Sequence, residues 1–353
     1  MKNSNKIAFL FPHGALYPIG GFKMAFEYAN RFAADGWNVT MVYPSAMRES
    51  YNWRDAVRYI GRLFTKGYKP KWYKLDHRIR QKWVLTLNHF QYDADMVVVG
   101  TYVTTIVALN KYQLPAEQKV NFIQDREDGE ADIDLYETYH YAMKKIVISN
   151  WLHNIMSQIG EHAFIVPNGF DFHYFGLATP PEKRDCHRII FMYHDAARKA
   201  VDVAFKAFAI VKSKHPKLHI TLFSAYDKPE GLPEWYDFYH TPDKDTHVRI
   251  YNEAAIYVGS SNVEGWGLTV GEAMICGCAV ACTDNQGYLE MAKDDETALV
   301  SPVGDAEALA RNIIRLIEDD ELRLRIAYKG NQFIQDFNIE KSYQKFKDVV
   351  GLK

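Results

Sequence analysis

The sequence predicts an α/β protein of two doubly wound domains, each built on a parallel sheet, facing a cleft. Three observations carry the prediction. Short apolar runs suited to strands buried on both faces recur along the chain. Amphipathic helical stretches or loops lie between them. The whole pattern restarts after "LATPPEKRDC" (177–186), a linker with two adjacent prolines and a charge cluster. The chain has 353 residues, enough for about two ordinary domains, with 48% hydrophobic and 24% charged residues.

Each element follows in order. "KIAFLF" (6–11) is a strand run and "PHGALYPIGG" a loop. "FKMAFEYANRFAADG" sets Phe22, Ala25, Phe26, Ala29, Phe32 and Ala33 on one helical face, with Gly36 as the stop. "NVTMVYP" (38–44) is the next strand, completing a βαβ unit and implying a parallel sheet. "DMVVVG" (95–100), "KVNFIQ" (119–124), "KIVISN" (145–150) and the start of "AFIVPNGFDFHYF" (163–175) extend it. The first domain is thus 1–178.

In the second domain, "RIIFMY" (188–193) and "LHITLF" (218–223) flank a helix with Val203, Ala207 and Ile210 on one face. "AAIYVGSS" (254–261), "AVACT" (279–283) and "ALVSP" (298–302) are further strands. The stretch 305–337 is strongly helical, with Asp305 as N-cap and Gly330 as a break. This domain spans 179–335, and 336–353 is a helix returning to the first.

A net charge of −2 gives the whole molecule no drive toward nucleic acid or membrane, so any such preference needs a local patch. Residues 48–82 form one. Eleven Lys and Arg stand there against Glu49, Asp55 and Asp76, interleaved with Trp53, Tyr59, Phe64, Tyr68, Trp72 and Tyr73. Such a mixture suits peripheral contact with an anionic membrane; a solvated helical face is the alternative. No nucleic-acid recognition motif accompanies it. Cys186, Cys276, Cys278 and Cys282 contain no Cys-x-x-Cys pair and read as small residues in a reducing compartment. The N-terminus lacks the apolar region of a signal peptide, and no run approaches a membrane span. A cytoplasmic location is the expectation, with peripheral attachment at the inner face of the membrane as its variant.

The segment with most chemistry is "EGWGLTVGEAMICG" (264–277), which follows the strand run "AAIYVGS". Glu264 falls in a loop at a strand's carboxyl end, where ligands of such sheets gather. Gly265 and Gly267, with Trp266 between them, let backbone N–H groups approach a ligand. A helix starting at Leu268–Thr269 offers free N–H groups to a phosphate. Glu272, a turn in, reaches hydroxyls such as those of a ribose; the plain alternative is compensation of the helix dipole.

Glu264 and Glu272 form an E-x7-E motif, and "EGWGLTVGEAMICGCAVACTD" resembles the corresponding stretch of family-4 retaining glycosyltransferases of the GT-B fold. "ETALVSPVGDAEALARNI", "VISNWL" and "FIVPNGFDFHYF" resemble further family segments, while Ser45 to about Gln118 carries little of this signal. The resemblance implies two Rossmann-like domains and a nucleoside-diphosphate-sugar donor. It implies same-face attack assisted by the leaving phosphate, with no cofactor and no metal; no Asp-x-Asp metal site of the kind other glycosyltransferases use is evident. Glu264 would hold the sugar and Glu272 the ribose. Lys199 matches the family's diphosphate lysine, and His194 stands where an arginine is usual, leaving one permanent and one titratable cation. Arg198 would point elsewhere on a helix. Gly20 and Gly21 in "PIGGFKMAFE" resemble the glycine loop facing the donor phosphates. Asp125 in "NFIQDREDGE" stands near the family's usual histidine; it orients or deprotonates an acceptor hydroxyl, or simply pairs with Arg126. The acceptor would be a glycan or a lipid-linked molecule, with bacterial cell-surface polysaccharide assembly as the setting. The rival class is a noncatalytic sugar-nucleotide sensor or scaffold on the same fold. A nicotinamide enzyme lacks its G-x-G-x-x-G after a strand.

Overall fold

A computed structural model describes residues 5–48, 50–127 and 133–351, so Glu49 and the end of "NFIQDREDGE" lie outside the described residues. The chain divides into two compact units. The first comprises Met1–Pro167 and Ser342–Lys353, the second Asn168–Lys341.

In the first unit the order is β1 (Lys6–Leu10), α1 (Gly20–Ala34), β2 (Asn38–Pro44), α2 (Trp53–Thr65), β3 (Arg80–Val84), β4 (Val97–Gly100) and α3 (Val103–Asn110). It continues with β5 (Lys119–Ile123), α4 (Leu135–Tyr139), β6 (Lys144–Val147), α5 (Asn150–Gln158) and β7 (Phe164–Ile165). All strands pair in parallel in the order β3-β2-β1-β4-β5-β6-β7. The central strands β1, β4 and β5 are largely apolar and buried because helices cover both faces; β5 also buries Lys119 and Asn121.

The second unit runs β8 (Arg188–Met192), α6 (Val201–Lys214), β9 (His219–Ser224), β10 (Tyr236–His240), α7 (Lys244–Glu253), β11 (Ile256–Gly259) and α8 (Leu268–Ile275). Then come β12 (Ala279–Thr283), β13 (Leu299–Ser301), α9 (Ala306–Glu318) and α10 (Asp320–Ile334). Its parallel sheet has the order β10-β9-β8-β11-β12-β13. Both sheets are doubly wound. In each the strand order reverses beside the first strand, between β1 and β4 and between β8 and β11.

The sequence places the domain borders at 178/179 and 335/336. The structure assigns 168–178 to the second unit through specific bonds. Phe170 donates its N–H to Phe337 O (2.8 Å) and accepts from Ile339 N–H (3.1 Å). Asn252 Oδ1 accepts from Ala178 N–H at 2.7 Å, and its amide donates to Gly176 O at 3.0 Å. The last helix, α11 (Ile339–Gly351), passes into the first unit at Ser342. There Phe346 is fully buried, its ring 4.5 Å from Tyr28 and 5.2 Å from Phe122 between centroids. Tyr343 donates to Asp35 at 2.7 Å, and Lys347 forms an ion pair with the same carboxylate.

One helix break is corrected. Gly330 lies inside α10; the break falls at Asp319, whose carboxylate accepts from Leu322 N–H at 2.9 Å and starts α10 afresh. Gly330 instead serves close approach, since a Cβ there would lie 3.2 Å from Thr297 O.

Candidate functional site

In the second unit, the loops after β8 and β11 leave neighbouring strands at the reversal of strand order, where open parallel sheets hold ligands. The two loops are bonded together. Asn262 N–H donates to Arg198 O at 2.7 Å, and Ser260 Oγ donates to Lys199 O at 2.9 Å. Ala197–Lys199 is a separate 3-10 turn, and Ala200 sits in the left-handed region at φ 46°. That conformation costs an alanine roughly 1–2 kcal/mol, so the surrounding bonds must impose it.

This turn aims two cations at one carboxylate. Lys199 Nζ lies 2.5 Å from Glu264 Oε1, and Arg198 Nη1 lies 3.8 Å from Oε2. The expectation for Arg198 is thereby corrected: it precedes α6 instead of riding on it. Glu264 is buried, and Ser261 Oγ also donates to its Oε1 at 2.7 Å. Burial alone would raise the Glu264 carboxyl; Lys199, Ser261 and Arg198 together hold it below the usual carboxylate range.

Tyr288, which the sequence does not single out, braces the loop. Its hydroxyl donates to Ser261 Oγ at 3.0 Å. Its ring covers Gly267, which is left-handed at φ 98° and has no room for a side chain: a Cβ would lie 2.5 Å from Tyr288 Cδ1. Gly287 likewise permits contact with the Glu264 backbone, since its Cβ would fall 2.2 Å from Glu264 O. Thr283 Oγ1 and Asn285 Nδ2 both donate to Ser261 O, at 2.6 and 3.0 Å. Gly265 is buried here as well. Trp266 is also buried, its indole edge-on to Phe337 at 5.3 Å, so its ring is a core group and not a ligand platform.

Helix α8 opens at Leu268 with Gly267 as its N-cap, and no side chain caps it. Leu268 and Thr269 are half-buried, placing uncapped N–H groups beside the Lys199–Glu264 pair's loop. Thr269 Oγ1 accepts from Tyr257 at 2.6 Å. Glu272 is buried on the first turns of α8, with Tyr251 OH 3.4 Å from its Oε2. Burial, reinforced by Glu272, pushes the Tyr174 hydroxyl up to about 12.

His194 differs from the sequence expectation of a titratable cation. Its Nδ1 accepts from Ala196 N–H at 3.0 Å, so the ring proton of the neutral form sits on Nε2, 3.3 Å from Tyr226 OH. Burial, with Lys199 and Arg198 nearby, lowers it to about 4. At neutral pH His194 offers an N–H dipole, not a charge.

In the first unit, α1 opens at Gly20 with no side-chain cap, and a Cβ on Gly21 would lie 3.1 Å from Gln124 Nε2. Asp125 accepts from Arg126 N–H at 2.9 Å. Glu127, not foreseen, accepts from Val103 N–H at 2.5 Å and so caps α3. Asp-x-Asp spacings do occur, at Asp93/Asp95, Asp132/Asp134 and Asp243/Asp245. Asp93 and Asp95 precede β4, at the strands' amino ends, and both pair with Lys6 at 3.0 and 2.9 Å. Asp132 lies outside the described residues. Asp134 and Asp243 cap α4 and α7, accepting from Tyr136 N–H at 2.9 Å and Thr246 N–H at 2.8 Å. Asp185, Cys186 and His187 bring three ligand-type atoms within 4.8 Å ahead of β8, but the backbone N–H of His187 already engages Asp185 in a local turn.

Residues 179–333 match the family model described as glycosyl transferases group 1. The phosphatidyl-myo-inositol mannosyltransferase of Mycolicibacterium smegmatis is 24% identical over 193 residues, 52% of this chain and 50% of that protein. The Staphylococcus aureus capsular polysaccharide biosynthesis glycosyltransferase CapM is 24% identical over 207 residues, 54% of each chain. The chain thus spans about half the length of the curated relatives it matches. Among solved structures, a sucrose-phosphate synthase from Thermosynechococcus elongatus superposes with a TM-score of 0.75 at 17% identity, covering 98% of both chains. Anabaena HepE in complex with UDP-glucose gives 0.72 at 15%, covering 98% of this chain and 100% of that one. These likenesses show the fold, two Rossmann-like domains of GT-B type.

Proposed function

We propose that this protein is a metal-independent retaining glycosyltransferase of family 4. It moves a sugar from a nucleoside-diphosphate donor to an acceptor hydroxyl, in cell-surface polysaccharide or glycoconjugate assembly. One observation carries the reading: the buried Lys199–Glu264 pair stands at the strand-order reversal, next to the uncapped start of α8 with Glu272 a turn inside. The group 1 match over 179–333 and the relatives above support it.

In this reading the diphosphate takes the α8 start. As the bond from sugar to phosphate breaks, negative charge grows on the departing oxygen. Lys199 and the N–H groups of Leu268 and Thr269 oppose that charge without having to reorganise. Glu264, held ionised, accepts hydrogen bonds from sugar hydroxyls. Glu272 does the same for the ribose. His194 donates its Nε2–H as a neutral partner. The departing phosphate oxygen takes the acceptor's proton on the same face, and Asp125 of the first unit orients that acceptor. The basic, aromatic stretch 48–82 supports peripheral contact with an anionic membrane.

The test is a transfer and donor-hydrolysis assay across a panel of nucleoside-diphosphate sugars. Lys199→Ala is expected to lower kcat by about 10²–10³, the scale of losing one transition-state donor. Glu272→Ala is expected to weaken donor affinity. If both variants kept wild-type turnover and affinity, the assignment would fail. His194's neutrality gives the sensor or scaffold reading its one foothold; donor binding without turnover on any acceptor would favour it.

A further inference from the structure

Helix α2 is built the wrong way round for a soluble protein. At about 100° per residue, Trp53, Val57, Ile60 and Phe64 fall on one stripe, the face an ordinary amphipathic helix buries. Here none of its residues is buried. Trp53 is 71% and Phe64 83% exposed, with Val57, Ile60 and Leu63 exposed as well. The polar side turns inward instead. Arg58 donates to Ser45 O at 2.9 Å, the Arg62 guanidinium lies 5.4 Å from the Trp83 ring centre, and Trp83 Nε1 donates to Tyr59 O at 3.1 Å.

The helix does not depend on burial to form. Asn52 Oδ1 accepts from the N–H groups of Arg54 (2.9 Å) and Asp55 (3.1 Å), while Asp55 accepts from Asn52 N–H (3.1 Å), a complete capping box. Exposed Arg54, Lys66, Lys71 and Lys74 supply positive charge along and just beyond it. Its Arg62 end abuts the loop after β1: a Cβ on Gly14 would lie 3.3 Å from Arg62 Nη1. That loop, tied to the same region by Ala15 N–H to Tyr68 O (3.0 Å) and Trp72 Nε1 to Ala15 O (3.1 Å), exposes Leu16, Tyr17 and Ile19.

We propose that α2 is an in-plane membrane anchor. Its outward stripe enters the interface of a bilayer, and the surrounding cations bind the headgroups of anionic lipids. An apolar face alone would not choose its cover; the excess of exposed cations selects an anionic bilayer. Docked this way, the β1 loop lies at the lipid surface, so the acceptor is an amphiphile presenting its hydroxyl there. The acceptor class rests on the transfer reading, whereas the anchor itself does not.

The experiment is flotation of the full chain with phosphatidylcholine vesicles, with and without phosphatidylglycerol. Binding is expected to rise at least about tenfold with phosphatidylglycerol and to fall with added salt. Val57→Asp/Ile60→Asp is expected to lower it at least about tenfold, with an unchanged urea midpoint since neither side chain is buried. The proposal is overturned if the wild type ignores phosphatidylglycerol, if the double variant floats as well as the wild type, or if the chain forms a dimer that the same substitutions split. A thermal shift with nucleoside diphosphates is read separately. Vesicle binding without donor binding sinks the transfer reading alone, and the converse sinks the anchor alone.

Discussion

The Lys199–Glu264 pair is buried on both sides, each side chain being 11% exposed. Such a pair gains little over an apolar replacement of both partners, but losing one partner strands the other's charge. Lys199→Met is therefore expected to destabilise the fold by about 3 kcal/mol at neutral pH, read from urea unfolding. The pH dependence has a definite sign. Glu264 is held below its unfolded value, so its contribution is present above that value and is lost as pH falls through the folded one. The stability gap between wild type and Lys199→Met should narrow steadily toward acid; a constant gap would refute the pairing. His194 also loses stability toward acid. Its folded value of about 4 lies below the usual 6.5, so protonation favours the unfolded chain as pH falls from about 6.5 to 4. His194→Asn keeps an acceptor for Ala196 N–H without a titrating ring, and should remove part of that acid loss. At this scale Glu264 and Glu272 can be picked out because they share one contiguous motif, whereas Lys199 stands 65 residues away and is singled out by resemblance alone; the structure pairs it with Glu264. Ser261, Tyr288 and the neutral state of His194 are not legible, because they depend on neighbours far along the chain.

Among the elements, α8 depends most on its glycine entry. Gly267→Ala adds a left-handed alanine and a methyl group driven into the Tyr288 ring. Strain and overpacking together should cost about 3 kcal/mol, measured as a drop in the denaturation midpoint, and should weaken donor binding in step. A variant that kept both would show that Tyr288 does not brace the loop. The central strands can be read from the sequence because burial on both faces keeps them mostly apolar, with Asn121 in β5 a buried exception. β3 ("RQKWV") and β10 ("YDFYH") cannot: both are sheet edges, and edge exposure admits charge. α2 lies in the stretch 48–82, where the sequence offers a helical face only as the alternative; the apolar period is in the sequence, but that it points outward is not. Arg198 departs from the helical expectation because a 3-10 turn ended by a left-handed alanine cannot be inferred from a run that otherwise favours helix. Gly330 read as a helix break, when the stop was the N-cap at Asp319.

For the whole molecule, each unit has its own core, and the chain end is stitched into the first of them. Phe346 is fully buried beside Phe9, Tyr28, Phe32 and Phe122, all residues of the first unit. The proposed nucleotide contacts lie in the second, except Gly20 and Gly21 at the start of α1. Two perturbations should therefore be read out in different places by native-state hydrogen exchange. Phe346→Ala removes a buried ring and should lower protection in β1, α1 and β5 by about 3–5 kcal/mol. A nucleoside diphosphate at about 100 times its Kd should raise protection in β8, β11 and α8 by about 2.7 kcal/mol, because it binds only the folded unit. Protection gained in β1, α1 and β5 instead would move the nucleotide to the first unit, and Lys199 and Glu264 would lose the roles assigned to them.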